Sequence, residues 1–162
     1  MTMLTAHAAL RWALQIEANG RAFYTAVAAT MADGNARLLF ADLAEQEGRH
    51  YRTFERLLEH VPAGPAPSEE ERQRAETRLR ALYTNALYGG KDRGLALAAE
   101  ASDEASALRA AIAFENDTLL FFQEMRDQVA PAHQATLTAI IGEEQEHLRQ
   151  LERALQDLPW VS

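Results

Sequence analysis

The chain reads as an all-α protein: a four-helix bundle made of two helical hairpins, joined by a long crossover that carries an extra helix. Three observations predict this. Apolar residues recur in steps of three and four along four long stretches. Strand-like alternation persists nowhere. The two halves of the chain also repeat one another, with Glu17 matching Glu115 and Glu47 matching Glu144.

The first helix is expected from about Thr2 to Met31, with Leu10, Leu14, Glu17, Tyr24 and Met31 on one stripe. Asp33-Gly34 makes the turn into a second helix that runs to about His60. Its stripe is Phe40, Leu43, Glu47, His50, Phe54, Leu57 and Val61. The segment from Val61 to Pro67 holds three prolines and a glycine and stops that helix. Ser68 with Glu71 three positions later is a capping box, so an extra helix starts there and ends near Gly89-Gly90. The crossover spans roughly residues 62 to 101. A third main helix follows from about Ser102 to Gln128, with Leu108, Ile112, Glu115, Leu119 and Phe122 in line. Pro131 suits the first turn of the fourth, which runs to about Leu158 and aligns Leu137, Ile140, Glu144, His147, Leu151, Ala154 and Leu158.

Each stripe is the seam of a bundle helix, and each is interrupted by ionisable residues at the seam itself. Leu10-Arg11, Glu17 and Phe23-Tyr24 recur as Leu108-Arg109, Glu115 and Phe121-Phe122. The pair Glu47 and His50, followed by Glu55-Arg56, recurs as Glu144 and His147, followed by Glu152-Arg153. With a rise of about 1.5 Å per residue, Glu17 and Glu47 lie about 24 and 21 Å from the turn at Asp33. Around Ala130, Glu115 and Glu144 are level in the same way. All four carboxylates can therefore meet at mid-bundle.

Composition limits what such a bundle can do. The 162 residues suit one domain over 1–162, and 48% of them are apolar. No apolar run approaches the roughly 20 residues of a membrane span, and the start lacks a signal-peptide core. The chain has no cysteine, which excludes disulfides, thiolate catalysis and rubredoxin-type iron. A cytoplasmic setting is expected. The net charge of -8 argues against nucleic-acid binding through a basic surface.

A Glu and a His three positions apart share one helical face, with Cβ atoms about 5–6 Å apart, so one metal ion can be reached by both. Two such pairs, Glu47 with His50 and Glu144 with His147, plus Glu17 and Glu115, give six ligands for two divalent ions. Four carboxylates then balance two divalent cations, with both imidazoles neutral. Buried Arg partners would be the alternative, but the seams offer few. His7, His60 and His133 lack a Glu three positions earlier and are read as surface residues. Glu47 and Glu144 are the bridging candidates, Glu17 and Glu115 the terminal ones. The residues alone do not choose among Fe, Mn and Zn; iron is the expected metal. Gly20, Gly48 and Gly142 flank the ligands and either permit close helix packing or leave room for a small oxidant.

Glu17-Ala-Asn-Gly-Arg-Ala-Phe23-Tyr24, Glu47-Gly-Arg-His50, Ala-Phe-Glu115 and Glu144-Gln-Glu-His147-Leu together resemble the rubrerythrin-type branch of the ferritin-like superfamily, over all four main helices. The resemblance implies a ferritin-like bundle with a non-haem di-iron centre that reacts with peroxide or dioxygen. Tyr24 stands where rubrerythrins place a tyrosine beside the irons, either donating to a bound ligand or filling the core. Full-length rubrerythrins carry a C-terminal rubredoxin domain with four cysteines, and this sequence shows none. A separate electron-donor protein is therefore expected. Thr118 stands where rubrerythrins offer a further carboxylate. The remaining six-ligand set resembles that of bacterioferritins, but Gly48 replaces their haem-ligating Met, so no haem is expected. A ferroxidase or iron-handling module and a non-enzymatic helical interaction protein are the competing functions. A homodimer is expected, with the acidic helix from Ser68 to Tyr88 as a dimer element or a solvated cover.

Overall fold

A computed structural model describes residues 4–32, 34–87 and 90–159. It contains the helices α1 (Ala6–Thr30), α2 (Gly34–Glu59), α3 (Glu69–Leu82), α4 (Thr84–Leu87), α5 (Arg93–Glu100), α6 (Glu104–Arg126) and α7 (Pro131–Gln156), with a 3-10 turn at Gly90–Asp92. No strand occurs among the described residues. No helix among them is long and apolar enough to cross a membrane.

The two expected hairpins are α1 with α2 and α6 with α7, packed together as a bundle. Local chemistry sets their ends. Thr5 accepts a hydrogen bond from the Ala8 amide at 3.1 Å, so α1 starts at Ala6 rather than near Thr2, which lies outside the described residues. Of the Asp33-Gly34 turn, Asp33 also lies outside them, and Gly34 is the first residue of α2. Asp103 and Ser106 form a capping box that starts α6 at Glu104. Pro131 sits in the first turn of α7, and Pro159 follows its end, disfavouring helix at Leu158.

The crossover differs from expectation. The capping box of Ser68 and Glu71 is present, but α3 stops at Leu82 rather than near Gly89-Gly90. Tyr83 breaks it at φ -116° and ψ 55°, because its side chain is committed elsewhere. The ring packs edge-on against Phe121, with centroids 5.3 Å apart, and the hydroxyl donates to Glu124 at 2.8 Å. The Asp117 carboxylate then accepts from the Asn85 amide at 2.7 Å, tying α4 to α6. Tyr88 lies outside the described residues, and Leu79 is the buried position of α3.

The further helix α5 was not expected. It packs along α1. Gly94 makes that approach possible: a Cβ there would lie 2.1 Å from the Asn19 carbonyl oxygen. The buried Asn19 amide group donates to the carbonyls of Ala86 at 2.9 Å and Gly90 at 3.1 Å. Helix α1 is thereby covered on two sides. Ala9, Ala13, Ile16, Phe23 and Val27 are buried as well as its seam residues Leu10, Glu17 and Tyr24.

Candidate metal centre

All four seam carboxylates and both seam imidazoles are buried, and they converge at mid-bundle. Glu17 comes from α1, Glu47 and His50 from α2, Glu115 from α6, and Glu144 and His147 from α7. They form two groups whose ligand atoms lie within 4.8 Å of one another: Glu17, Glu47, His50 and Glu144, and Glu47, Glu115, Glu144 and His147. Glu47 and Glu144 belong to both. His50 Nδ1 lies 2.8 Å from Glu144 Oε1 and 3.6 Å from Glu17 Oε1. His147 Nδ1 lies 2.8 Å from Glu144 Oε2, 3.4 Å from Glu47 Oε1 and 3.8 Å from Glu115 Oε1. The two rings stack at 5.7 Å.

Each imidazole is held from outside. His50 Nε2 lies 2.7 Å from Glu143 Oε2, and His147 Nε2 lies 2.7 Å from Gln46 Oε1. Gln46 in turn donates its amide to Asp42 at 2.6 Å, which turns its oxygen toward His147. With Nε2–H donating outward, each Nδ1 faces the carboxylates; it carries a proton beside them in the metal-free chain and would lose it to present the lone pair that a metal ion requires. Glu143 and Gln46 occupy the position before the paired Glu in each half of the repeat. They read as ordinary surface residues in the sequence; the repeat was the signal that could have found them.

Electrostatically, this cluster is costly by itself. Burial pushes the Glu17, Glu47 and Glu115 carboxyls well above the usual range, and repulsion from Glu144 adds to it. Burial also works against the Glu144 anion, but the neighbouring imidazoles of His147 and His50 outweigh it and hold that group at about 2. Burial opposes charge on His50, and its bond with Glu144 outweighs that, raising it to about 9. His147 is raised further by Glu115, Glu144 and Glu47. Among the described residues, the ion pairs of these four carboxylates run to His50 and His147 alone, so buried arginines do not neutralise them. Both oxygens of Glu17 and Glu47, Oε2 of Glu115 and Glu144, and Nδ1 of His147 make no hydrogen bond. Buried, unpaired carboxylates cost several kcal/mol each. A donor set of hard oxygens and imidazole nitrogens that lacks partners on its inner side suits a pair of divalent cations.

A family model described as Rubrerythrin matches residues 8–101. The chain belongs to the rubrerythrin family. Neither a curated protein nor a solved structure matches it. The matched region of this rubrerythrin-family chain covers α1, α2 and the crossover, and so includes Glu17, Glu47 and His50. Glu115, Glu144 and His147 lie beyond it and join the cluster through the second hairpin.

In this rubrerythrin-family bundle Tyr24 is fully buried, and its hydroxyl donates to Glu115 Oε1. Burial, then the charge of Glu115, holds the phenol well above its ordinary range, so it stays a donor. Thr118 is buried too, but its hydroxyl donates to the Phe114 carbonyl of its own helix at 3.0 Å. Among the other histidines, His60 is exposed and His7 and His133 are half-buried, and none joins the cluster.

The three glycines separate. A Cβ on Gly20 would lie 2.6 Å from Glu47 Oε2 and 3.1 Å from Phe114, so the space it leaves belongs to the Glu47 carboxylate itself. A Cβ on Gly48 would meet Arg21 at an ordinary 3.5 Å, and one on Gly142 would meet nothing within 4 Å. Neither of these two packs closely or opens toward the site. Gly20→Ala is expected to displace Glu47 and lower divalent-metal affinity at least about tenfold, by the scale of a disturbed metal site. Gly142→Ala is expected to stabilise α7 by about 1 kcal/mol and leave metal binding unchanged. Metal titration and thermal melts of both variants check the contrast.

Proposed function

We propose that this chain is a non-haem di-iron redox protein that acts on peroxide or dioxygen. The observation that carries the reading is the pair of buried four-residue groups that share Glu47 and Glu144 while their inner oxygens lack partners. Glu17 and His50 would complete one metal position, Glu115 and His147 the other, with Glu47 and Glu144 bridging. Two Fe(II) ions held there would supply electrons to reduce the oxidant.

The chain's own residues supply geometry and exclusion of water. Phe40, Phe54, Phe114 and Phe122 are fully buried, with Phe40 and Phe54 seven residues before and after Glu47 on α2. Glu143 and Gln46 fix the imidazoles. Tyr24 keeps its proton on Oη and orients Glu115. A separate protein would supply the electrons for turnover.

Thr118 is tied to Phe114 and gives no seventh carboxylate, which favours a ferroxidase or iron-handling role as the second reading. Stopped-flow mixing of the anaerobic Fe(II)-loaded protein with peroxide or with dioxygen separates them. Faster oxidation by peroxide supports the peroxidase reading, and faster oxidation by dioxygen the ferroxidase one. Oxidation no faster than that of Fe(II) in buffer contradicts both. Tyr24→Phe removes the donor to Glu115 and leaves a buried carboxylate oxygen bare. Metal content is expected to persist, with a stability loss of about 1–3 kcal/mol in chemical denaturation.

A further inference from the structure

The outer partners of the two imidazoles occupy equivalent places in the repeat but differ chemically. His50 gives its outer N–H to a carboxylate, Glu143, whose side chain is 53% exposed. His147 gives its outer N–H to a neutral amide oxygen, that of Gln46. An imidazole bonded to a carboxylate carries more electron density on its inner nitrogen and is the stronger ligand. A second difference acts in the same direction. Glu115, beside His147, gives up part of its charge to the Tyr24 hydroxyl, whereas both oxygens of Glu17, beside His50, accept no hydrogen bond. The Asp42 carboxylate lies one link further from His147, behind the Gln46 amide, and so reaches that ring only through it.

We propose that Glu143 and Gln46 are positioning residues that make the two metal positions unequal, so that the His50 position fills before the His147 position. This rests on the dimetal reading above. Glu143 strengthens the ligand at one position, and Gln46 leaves its counterpart weaker. The bridging carboxylates are common to both positions and cannot create the difference. An ordered filling gives a half-loaded form in which one ion sits with Glu17 and His50, and Glu115 and His147 await the second.

Titration of the EDTA-stripped full chain with Co(II) under argon, followed by calorimetry and visible absorption, tests this. The wild type is expected to bind two ions in two steps separated by about tenfold or more. Glu143→Gln is expected to weaken the first step by about 10- to 100-fold and merge it with the second. Gln46→Glu is expected to tighten the second step, a gain that a merely structural role for these residues does not produce. His147→Ala should keep the tight step and lose the weak one; His50→Ala should do the reverse. Two ions bound with one shared affinity, or steps unmoved in Glu143→Gln and Gln46→Glu, overturn the proposal and leave the dimetal reading standing. No stoichiometric binding of Co(II) overturns both.

Discussion

Glu47→Leu is expected to stabilise the metal-free protein while abolishing its metal binding. Glu47 is fully buried, neither of its oxygens makes a hydrogen bond, and it faces Glu144 and Glu17. A leucine of similar volume removes that desolvated, repelled group from the core. His147, 3.4 Å from Glu47, keeps Glu144 at 2.8 Å as its counter-charge, so no buried charge is left unpaired. Exchanging buried ionic groups for apolar ones of similar volume then stabilises by up to about 1–4 kcal/mol. For a domain of this size each kcal/mol raises Tm by about 2–4 °C. Glu47 also belongs to both ligand groups, so its loss disables both positions together. The paired outcome is the signature: a higher melting temperature after chelation and a metal content falling from about two ions per chain to essentially none. A core carboxylate kept for packing alone would give the first effect with no metal to lose. Melts of the chelated variant and elemental analysis of the loaded one read both.

The pH dependence of stability is expected to reverse sign when metal binds. In the chelated protein His50 is raised from 6.5 to about 9. Its contribution is therefore present below pH 6.5 and is lost as pH rises through about 9, amounting to roughly 3 kcal/mol. Glu17, Glu47 and Glu115 are raised as well, so the folded chain binds more protons than the unfolded one above pH 4.5, and they act in the same direction. Glu144, held at about 2, contributes stability above pH 4.5 that is lost as pH falls through about 2. The chelated protein is thus expected to lose stability steadily from mildly acidic pH to pH 9. Metal ions compete with those same protons, so metal-conferred stabilisation grows over the same range. Chemical denaturation at pH 5.5, 7 and 9, with and without Co(II), measures both slopes. Parallel slopes contradict the account.

The four main helices and six clustered side chains were legible because charge sits on the seam. A helix that must bury an apolar stripe displays Glu47, His50, Glu144 and His147 there only at a cost, and that cost marks the site. The crossover was less legible. Arg93–Glu100 is short and follows Gly89-Gly90, which read as a breaker, and Gly94 within it lets α5 touch the Asn19 carbonyl. The break at Tyr83 comes from its partners Phe121 and Glu124, which lie far along the chain. Gln46 and Glu143 escaped notice for the same reason: each looks like a solvated helix residue until the opposite hairpin brings an imidazole to it. Gly20 was read as a close helix contact or as room for an oxidant, and neither reading named Glu47, whose carboxylate takes that space only once α1 packs on α2.

The central claim is that Glu47 and Glu144 are shared between two metal ions. Anomalous diffraction at the iron edge from crystals loaded with Fe(II) under argon tests it most directly. Two peaks per chain are predicted, one bounded by Glu17 and His50, the other by Glu115 and His147, with Glu47 and Glu144 contacting both. A single peak, or two peaks with no carboxylate in common, would contradict it.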